Sequence, residues 1–122
     1  MQIQINTDHN IDGREGLVTH VTGVVEHAMG RLRDHVTRVE VHLSDENSHK
    51  SGQNDKRCVM EARLEGRQPL VVTHHATNLH QAIDGAAEKL TRLVDGTIKR
   101  FQDQKSRASS LSPQDLPTPE ER

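Results

Sequence analysis

The chain has 122 residues, of which 31% are hydrophobic and one, Phe101, is aromatic, so it holds one domain with a modest core of Val, Leu, Ile, Ala and Met. Lys and Arg total 16 against 18 Asp and Glu, a formal net charge of -2, so bulk charge announces no nucleic-acid binder and a basic patch must come from placement. The lone Cys58 excludes an internal disulfide framework and suits a reducing compartment, and no stretch reads as a signal peptide or a membrane span; a cytoplasmic protein with no membrane association is expected.

At the N-terminus Met1, Ile3 and Ile5 alternate with Gln2, Gln4 and Asn6, the period of a half-buried strand. Asp12 with Glu15 reads as a capping box, and Leu17, Val18, Val21, Val24, Val25, Ala28, Met29 and Leu32 repeat at helical spacing, predicting a first helix to about Asp34. Arg31 and Arg33 fall in its last turn, where the helix dipole alone favours cations. Val39, Val41 and Leu43 alternate with polar neighbours as strand two, and the polar run Asp45 to Asp55 is expected to be a long hairpin loop. Cys58, Met60, Ala62 and Leu64 share one face of strand three; Glu65 to Pro69 is a turn; Leu70 to about Ala76 is strand four.

From Asn78 to Phe101 the apolar residues Leu79, Ala82, Ile83, Ala86, Ala87, Leu90, Leu93, Val94, Ile98 and Phe101 lie on one side of a second helix, with Asn78 and Gln81 as a capping box. At about 100° per residue, Lys89, Arg92, Lys99 and Arg100 share one outer flank with Gly85 and Gly96, and Asp84, Glu88 and Asp95 line the neighbouring one. The order β-α-β-β-β-α, with a crossover helix first and tight connections afterwards, predicts an α+β two-layer sandwich: a four-stranded mixed sheet with both helices on one face. Residues 1–101 form this domain, and 102–122, without period and with three of the four prolines, are expected to be a disordered polar tail.

The element order, the MQIQI start, and Ala82-Ile83-Asp84 followed by Glu88-Lys89-Leu90 resemble the ribosome hibernation-promoting factor and ribosome-associated inhibitor family, also described as ribosomal subunit interface or sigma-factor modulation proteins. The resemblance covers about residues 1 to 101, and Asp55-Lys56-Arg57-Cys58 with Glu61-Ala62-Arg63-Leu64 looks like a variant branch of that family. It implies a fold akin to double-stranded-RNA-binding domains and stoichiometric binding to the small ribosomal subunit and its rRNA, in the channel used by messenger and transfer RNA. Translation is thereby silenced, or ribosomes protected, under stress, without a cofactor. Family contacts come mainly from basic side chains on the two helices; the matching positions here are Arg31, Arg33, Lys89, Arg92, Lys99 and Arg100. This chain departs from the pattern in its slight acidity, in the acids that interrupt the second helix, and in having His80 where an aromatic often precedes the Ala-Ile-Asp segment. Long members carry a second, dimerising domain that pairs whole ribosomes; here a short polar tail follows instead, so that activity is not implied, and separately a monomer is expected off the ribosome.

Other readings stay open beside this one. The basic flank is also an ordinary solvated helix face, with Glu88–Arg92 and Asp95–Lys99 as i,i+4 pairs. The alternative function is a regulatory protein-interaction module on the same fold with weak or no RNA binding. Gly16, Gly23 and Gly30 recur seven apart opposite the apolar stripe of the first helix, and Gly85 and Gly96 repeat the device in the second. Each costs about 1 kcal/mol relative to Ala in a helix interior. They are read either as a flattened surface for close approach, formed by Gly23, His27, Gly30, Gly85 and Gly96, or as drift where stability suffices. His74 and His75 point to opposite faces of a strand and no Cys/His ligand spacing occurs, so no metal is expected. No nucleophile, paired carboxylates or phosphate-binding glycine loop suggests an enzyme, and Cys58 has the parity of a packing residue.

Overall fold

A computed structural model describes residues 1–8, 11, 14–46 and 55–110, with the side chains of 14 and 104–110 left aside. In chain order the elements are β1 (Gln2–Thr7), α1 (Arg14–Ala28), a 3-10 turn (Gly30–Leu32), β2 (Val36–Asp45), β3 (Lys56–Leu64), β4 (Leu70–Ala76) and α2 (Leu79–Ser110). The four strands form one sheet in the order β1-β2-β3-β4. β1 runs parallel to β2, and the other two pairs are antiparallel, as the crossover and the short turns dictate.

Alternation sets the register. Val39, Val41 and Leu43 stand opposite Ala62, Met60 and Cys58, so the inward set of β2 meets the inward set of β3, and all six are buried. Ile3 and Ile5 extend this row at the β1 side through Val39 and Val41. A slip of one residue would turn every one of these side chains to the opposite face. Both helices cover that single face: α2 packs on β3 and β4, and α1 on β1 and on α2. Val21, Val25 and Met29 come down from α1 and Ile83, Leu90 and Val94 from α2, each essentially inaccessible to water. Such burial contributes about 1.5–3 kcal/mol for each large side chain.

The opposite sheet face is mainly polar, with Val71 53% exposed among its charged side chains, several of which pair with one another. Arg38 bonds the Gln4 carboxamide and the Glu40 carboxylate, and Arg63 donates to Glu61 at 2.9 Å and reaches Glu40 at 3.7 Å. At the β3–β4 connection Gly66 adopts φ 72°, a left-handed conformation that a side chain would disfavour, while Arg67 N–H closes the turn on Leu64 O at 3.1 Å.

Three boundaries differ from the sequence-based expectation. The first helix ends at Ala28 instead of continuing to Asp34, because the chain must turn back into β2 while Leu32 still reaches the core. Tighter bonds from Leu32 N–H to Met29 O and from His35 N–H to Leu32 O make that change of course. The polar run from Asp45 to Asp55 is anchored at both ends: Asp45 is still paired with Lys56, and Asp55 is buried, its carboxylate 3.2 Å from Lys56 Nζ. Residues 47–54 of that expected loop lie outside the described residues, as does Asp12 of the expected capping box. Finally, α2 continues past the expected boundary at Phe101 to Ser110. Among the described side chains burial ends at Ile98 and Phe101 is already 47% exposed, yet no Pro or Gly falls between Gly96 and Ser110 to stop the helix. The remainder of the expected tail, 111–122, falls outside the described residues.

Candidate functional site

The second helix is fixed at its start by Asn78, whose Oδ1 accepts the Gln81 N–H at 2.8 Å. This is one half of the expected capping box; Gln81 Oε1 instead accepts from the Thr77 hydroxyl at 3.0 Å. Halfway along, Thr91 Oγ1 donates to Ala87 O at 2.9 Å and lies 3.5 Å from Ala28 O at the end of α1, which holds the two helices side by side. Between them runs a groove of about 580 Å³, floored by Val24, Ala28 and Ala87 and rimmed by His20, His27, Asp84 and Glu88.

The carboxylates that interrupt the basic flank find partners on α1, on the 3-10 turn and within α2 itself. Asp84 Oδ1 is 3.2 Å from His20 Nε2, and His20 stacks on His80 with ring centroids 4.2 Å apart. Glu88 pairs with Arg92 one turn on. Asp95 Oδ2 receives both Lys99 Nζ at 3.1 Å and Arg31 Nη2 at 3.5 Å. The Lys99 hydrogen bond, reinforced by the Arg31 charge and opposed by partial desolvation, holds the Asp95 carboxyl below its ordinary value.

The six cations expected from the sequence therefore do not form one free stripe. Arg31 and Lys99 are brought together at the junction of the helices, 66% and 68% exposed. Arg92, 74% exposed, sits nearby on α2 in its i,i+4 pair, and Arg100 donates to Thr97 Oγ1 at 3.3 Å. Arg33 is exposed just after the 3-10 turn. Lys89 points the other way, donating to Thr73 O at 2.9 Å, where it covers part of the outer edge of β4.

The glycines divide likewise. A Cβ at Gly16, Gly23 or Gly30 would meet nothing within 4 Å, and Gly23 lines the interhelical groove with His27 at its rim. Gly85 is different. A Cβ there would lie 2.2 Å from His74 Cδ2, so Gly85 seats the α2 backbone on a β4 side chain and has a packing reason of its own. At Gly96 a Cβ would meet only Arg100 Nη1 at 3.7 Å, an ordinary contact. His74 has the half-buried position its parity suggested.

Among the described residues no group of three or more His, Cys, Asp or Glu is arranged to hold a metal ion. Cys58 is buried in β3, and desolvation pushes its thiol up to about 12, which leaves no thiolate at neutral pH. No described helix is long and apolar enough to cross a membrane. What the surface offers is charge and shape: exposed cations at the end of α1 and along α2, beside a trough with no side chain at Gly23. The pairings His20–Asp84 and Arg31–Asp95 had no linear signal, because they join residues 64 apart in each case by helix packing alone.

No curated protein matches the chain. Among solved structures, it is similar to the Thermus thermophilus Protein Y N-terminal domain, at 23% identity and a TM-score of 0.63, over 83% of this chain and 99% of that one. It is also similar to a ribosomal subunit interface protein from Coxiella burnetii, at 15% identity and a TM-score of 0.60, over 81% of this chain and 99% of that one. These likenesses concern the fold. The sequence itself matches a family model over residues 3–102, spanning β1 to α2, and the chain thus belongs to the Sigma 54 modulation protein / S30EA ribosomal protein family.

Proposed function

We propose that this protein binds the small ribosomal subunit through contacts to its rRNA and acts there as a hibernation factor that inhibits translation under stress. In this reading it is a stoichiometric binder in the cytoplasm, monomeric off the ribosome, with no cofactor and no catalytic step. The observation that carries the reading is the cation cluster at the helix junction, Arg31 and Lys99 with Arg92 close along α2, all largely exposed in a member of this ribosomal protein family. The name of the Coxiella relative, a ribosomal subunit interface protein, points to the same class of partner.

Cations so placed neutralise phosphates without reading sequence, so the affinity comes with release of counterions and falls steeply with salt. Arg33 and Arg100 extend the cluster at its ends, Lys89 supplies charge at the β4 edge, and the bare backbone at Gly23 lets a partner approach α1 closely. Charge reversal tests the assignment. Arg92→Glu with Lys99→Glu is expected to keep a cooperative melt close to that of the unaltered protein and to lose co-sedimentation with small subunits by at least tenfold. Unchanged binding refutes the surface.

One observation favours a second reading. Three acids of α2 are engaged, Asp84 with the His20 imidazole, Glu88 with Arg92 and Asp95 with Lys99 and Arg31, which offsets much of the charge of the basic flank. A regulatory protein-interaction module with weak RNA binding would use such a surface, and its association with a partner would survive salt that releases an rRNA binder.

A further inference from the structure

Arg31 and Lys99 come from different elements and reach the same atom. Arg31 Nη2 is 3.5 Å and Lys99 Nζ 3.1 Å from Asp95 Oδ2. The two cationic side chains are 66% and 68% exposed while Asp95 is 20% exposed, so the carboxylate is shielded from water beneath the two cations. A guanidinium and an ammonium converging on one oxyanion is an arrangement that binds phosphate: the planar fork takes one oxygen and the ammonium a neighbouring one. The two heads can be no farther apart than their distances to the shared oxygen allow, within the span of one phosphate group and its hydrogen bonds.

Resting on the ribosome-binding reading, we propose that Arg31 and Lys99 form a site for one RNA backbone phosphate and that Asp95 is its built-in competitor, a carboxylate holding the place of a phosphate oxygen in the free protein.

Asp95 competes more than it aligns. It is tied to α2 and cannot leave when a phosphate arrives, so the incoming anion meets a negative charge a few ångströms away that is itself only 20% exposed. The opposite contribution, holding Arg31 and Lys99 in a productive pose, is small, because exposed ion pairs restrain long side chains weakly. Repulsion therefore outweighs pre-alignment. The acid in the middle of a basic surface then has a use: it keeps phosphate binding weak enough to be reversed. Asp84 and Glu88 do not share this geometry, since each engages one partner and is itself 60% or 65% exposed.

The test is Asp95→Asn, which keeps the shape and removes the charge. In co-sedimentation with small subunits the variant is expected to bind about three- to tenfold more tightly than the unaltered protein, the gain shrinking with added salt. In a titration with inorganic phosphate followed by amide NMR, its resonances near Arg31 and Lys99 are expected to shift saturably with at least threefold higher affinity. Adding Arg31→Ala should erase both gains. Equal or weaker phosphate binding by Asp95→Asn overturns the proposal, as does a gain for phosphate with none for subunits that the unaltered protein binds. If the unaltered protein does not sediment with subunits even at low salt, the ribosome-binding reading falls, and the phosphate titration still decides whether Asp95 competes at this site.

Discussion

Two glycine-to-alanine substitutions in helices of the same fold should move stability in opposite directions. At Gly23 a new methyl meets nothing within 4 Å, so only the helix preference changes. That favours Ala by about 1 kcal/mol. At Gly85 the same preference applies, but the methyl would lie 2.2 Å from His74 Cδ2, 2.3 Å from Nε2 and 2.7 Å from Cγ. The contact includes the root of the ring as well as its tip, so His74 cannot avoid it by a small swing, and α2 or β4 must shift. Overpacking of this kind costs about 1–3 kcal/mol. Against the helix gain, Gly85→Ala should be neutral to destabilising by about 2 kcal/mol. For a domain of this size each kcal/mol moves Tm by roughly 4–8 °C. Thermal and urea melts followed by circular dichroism should therefore show Gly23→Ala above the unaltered protein and Gly85→Ala at or below it. His74→Ala combined with Gly85→Ala should relieve the clash and show a favourable coupling between the two sites. If Gly85→Ala stabilises as much as Gly23→Ala, α2 is not seated on His74 as described.

Other consequences can be read in the same way. Asn78→Ala removes the acceptor of the Gln81 N–H and should lower stability by about 1 kcal/mol in a urea melt; an unchanged midpoint would show that the cap contributes nothing. Because burial pushes the Cys58 thiol up to about 12, the native protein should react with a thiol reagent at pH 8 only as fast as it opens, and at full rate once unfolded in urea. Rapid labelling of the native state would contradict the buried position. The Asp95 carboxyl, held down by Lys99 and then by Arg31, should titrate below its ordinary 3.8 in a carbon-detected NMR titration. Its pairing stabilises the fold above that pH and is lost as pH falls through the depressed folded value. A midpoint at or above 3.8 would rule out the shared ion pair in solution.

The elements were legible because burial imposes a period. Val39, Val41 and Leu43, or Ile83, Leu90 and Val94, are apolar at the spacing of their structure since each must face the same layer. What ends an element without changing burial was not legible. The second helix passes Phe101 and runs to Ser110, and the first gives way to a 3-10 turn while Leu32 keeps its place on the apolar side. The site was half legible. The cations and acids of α2, with the pairs Glu88–Arg92 and Asp95–Lys99, follow from helical spacing. The convergence of Arg31 on Asp95, the turn of Lys89 toward Thr73 O and the ring of His74 beneath Gly85 follow from how α1, β4 and α2 are placed. No local pattern encodes those placements.

Sedimentation of purified small ribosomal subunits with the protein across a salt series bears on whether this surface is an rRNA contact. Each phosphate neutralised should add roughly 0.7–0.9 to the slope of log affinity against log salt. With Arg31 and Lys99 sharing one phosphate, engagement of Arg31, Arg92, Lys99 and Arg100 neutralises about three phosphates and gives a slope of about 2–2.7, with clear co-migration at low salt and release as salt rises. Absence of co-migration at low salt, or binding that ignores salt, would contradict it.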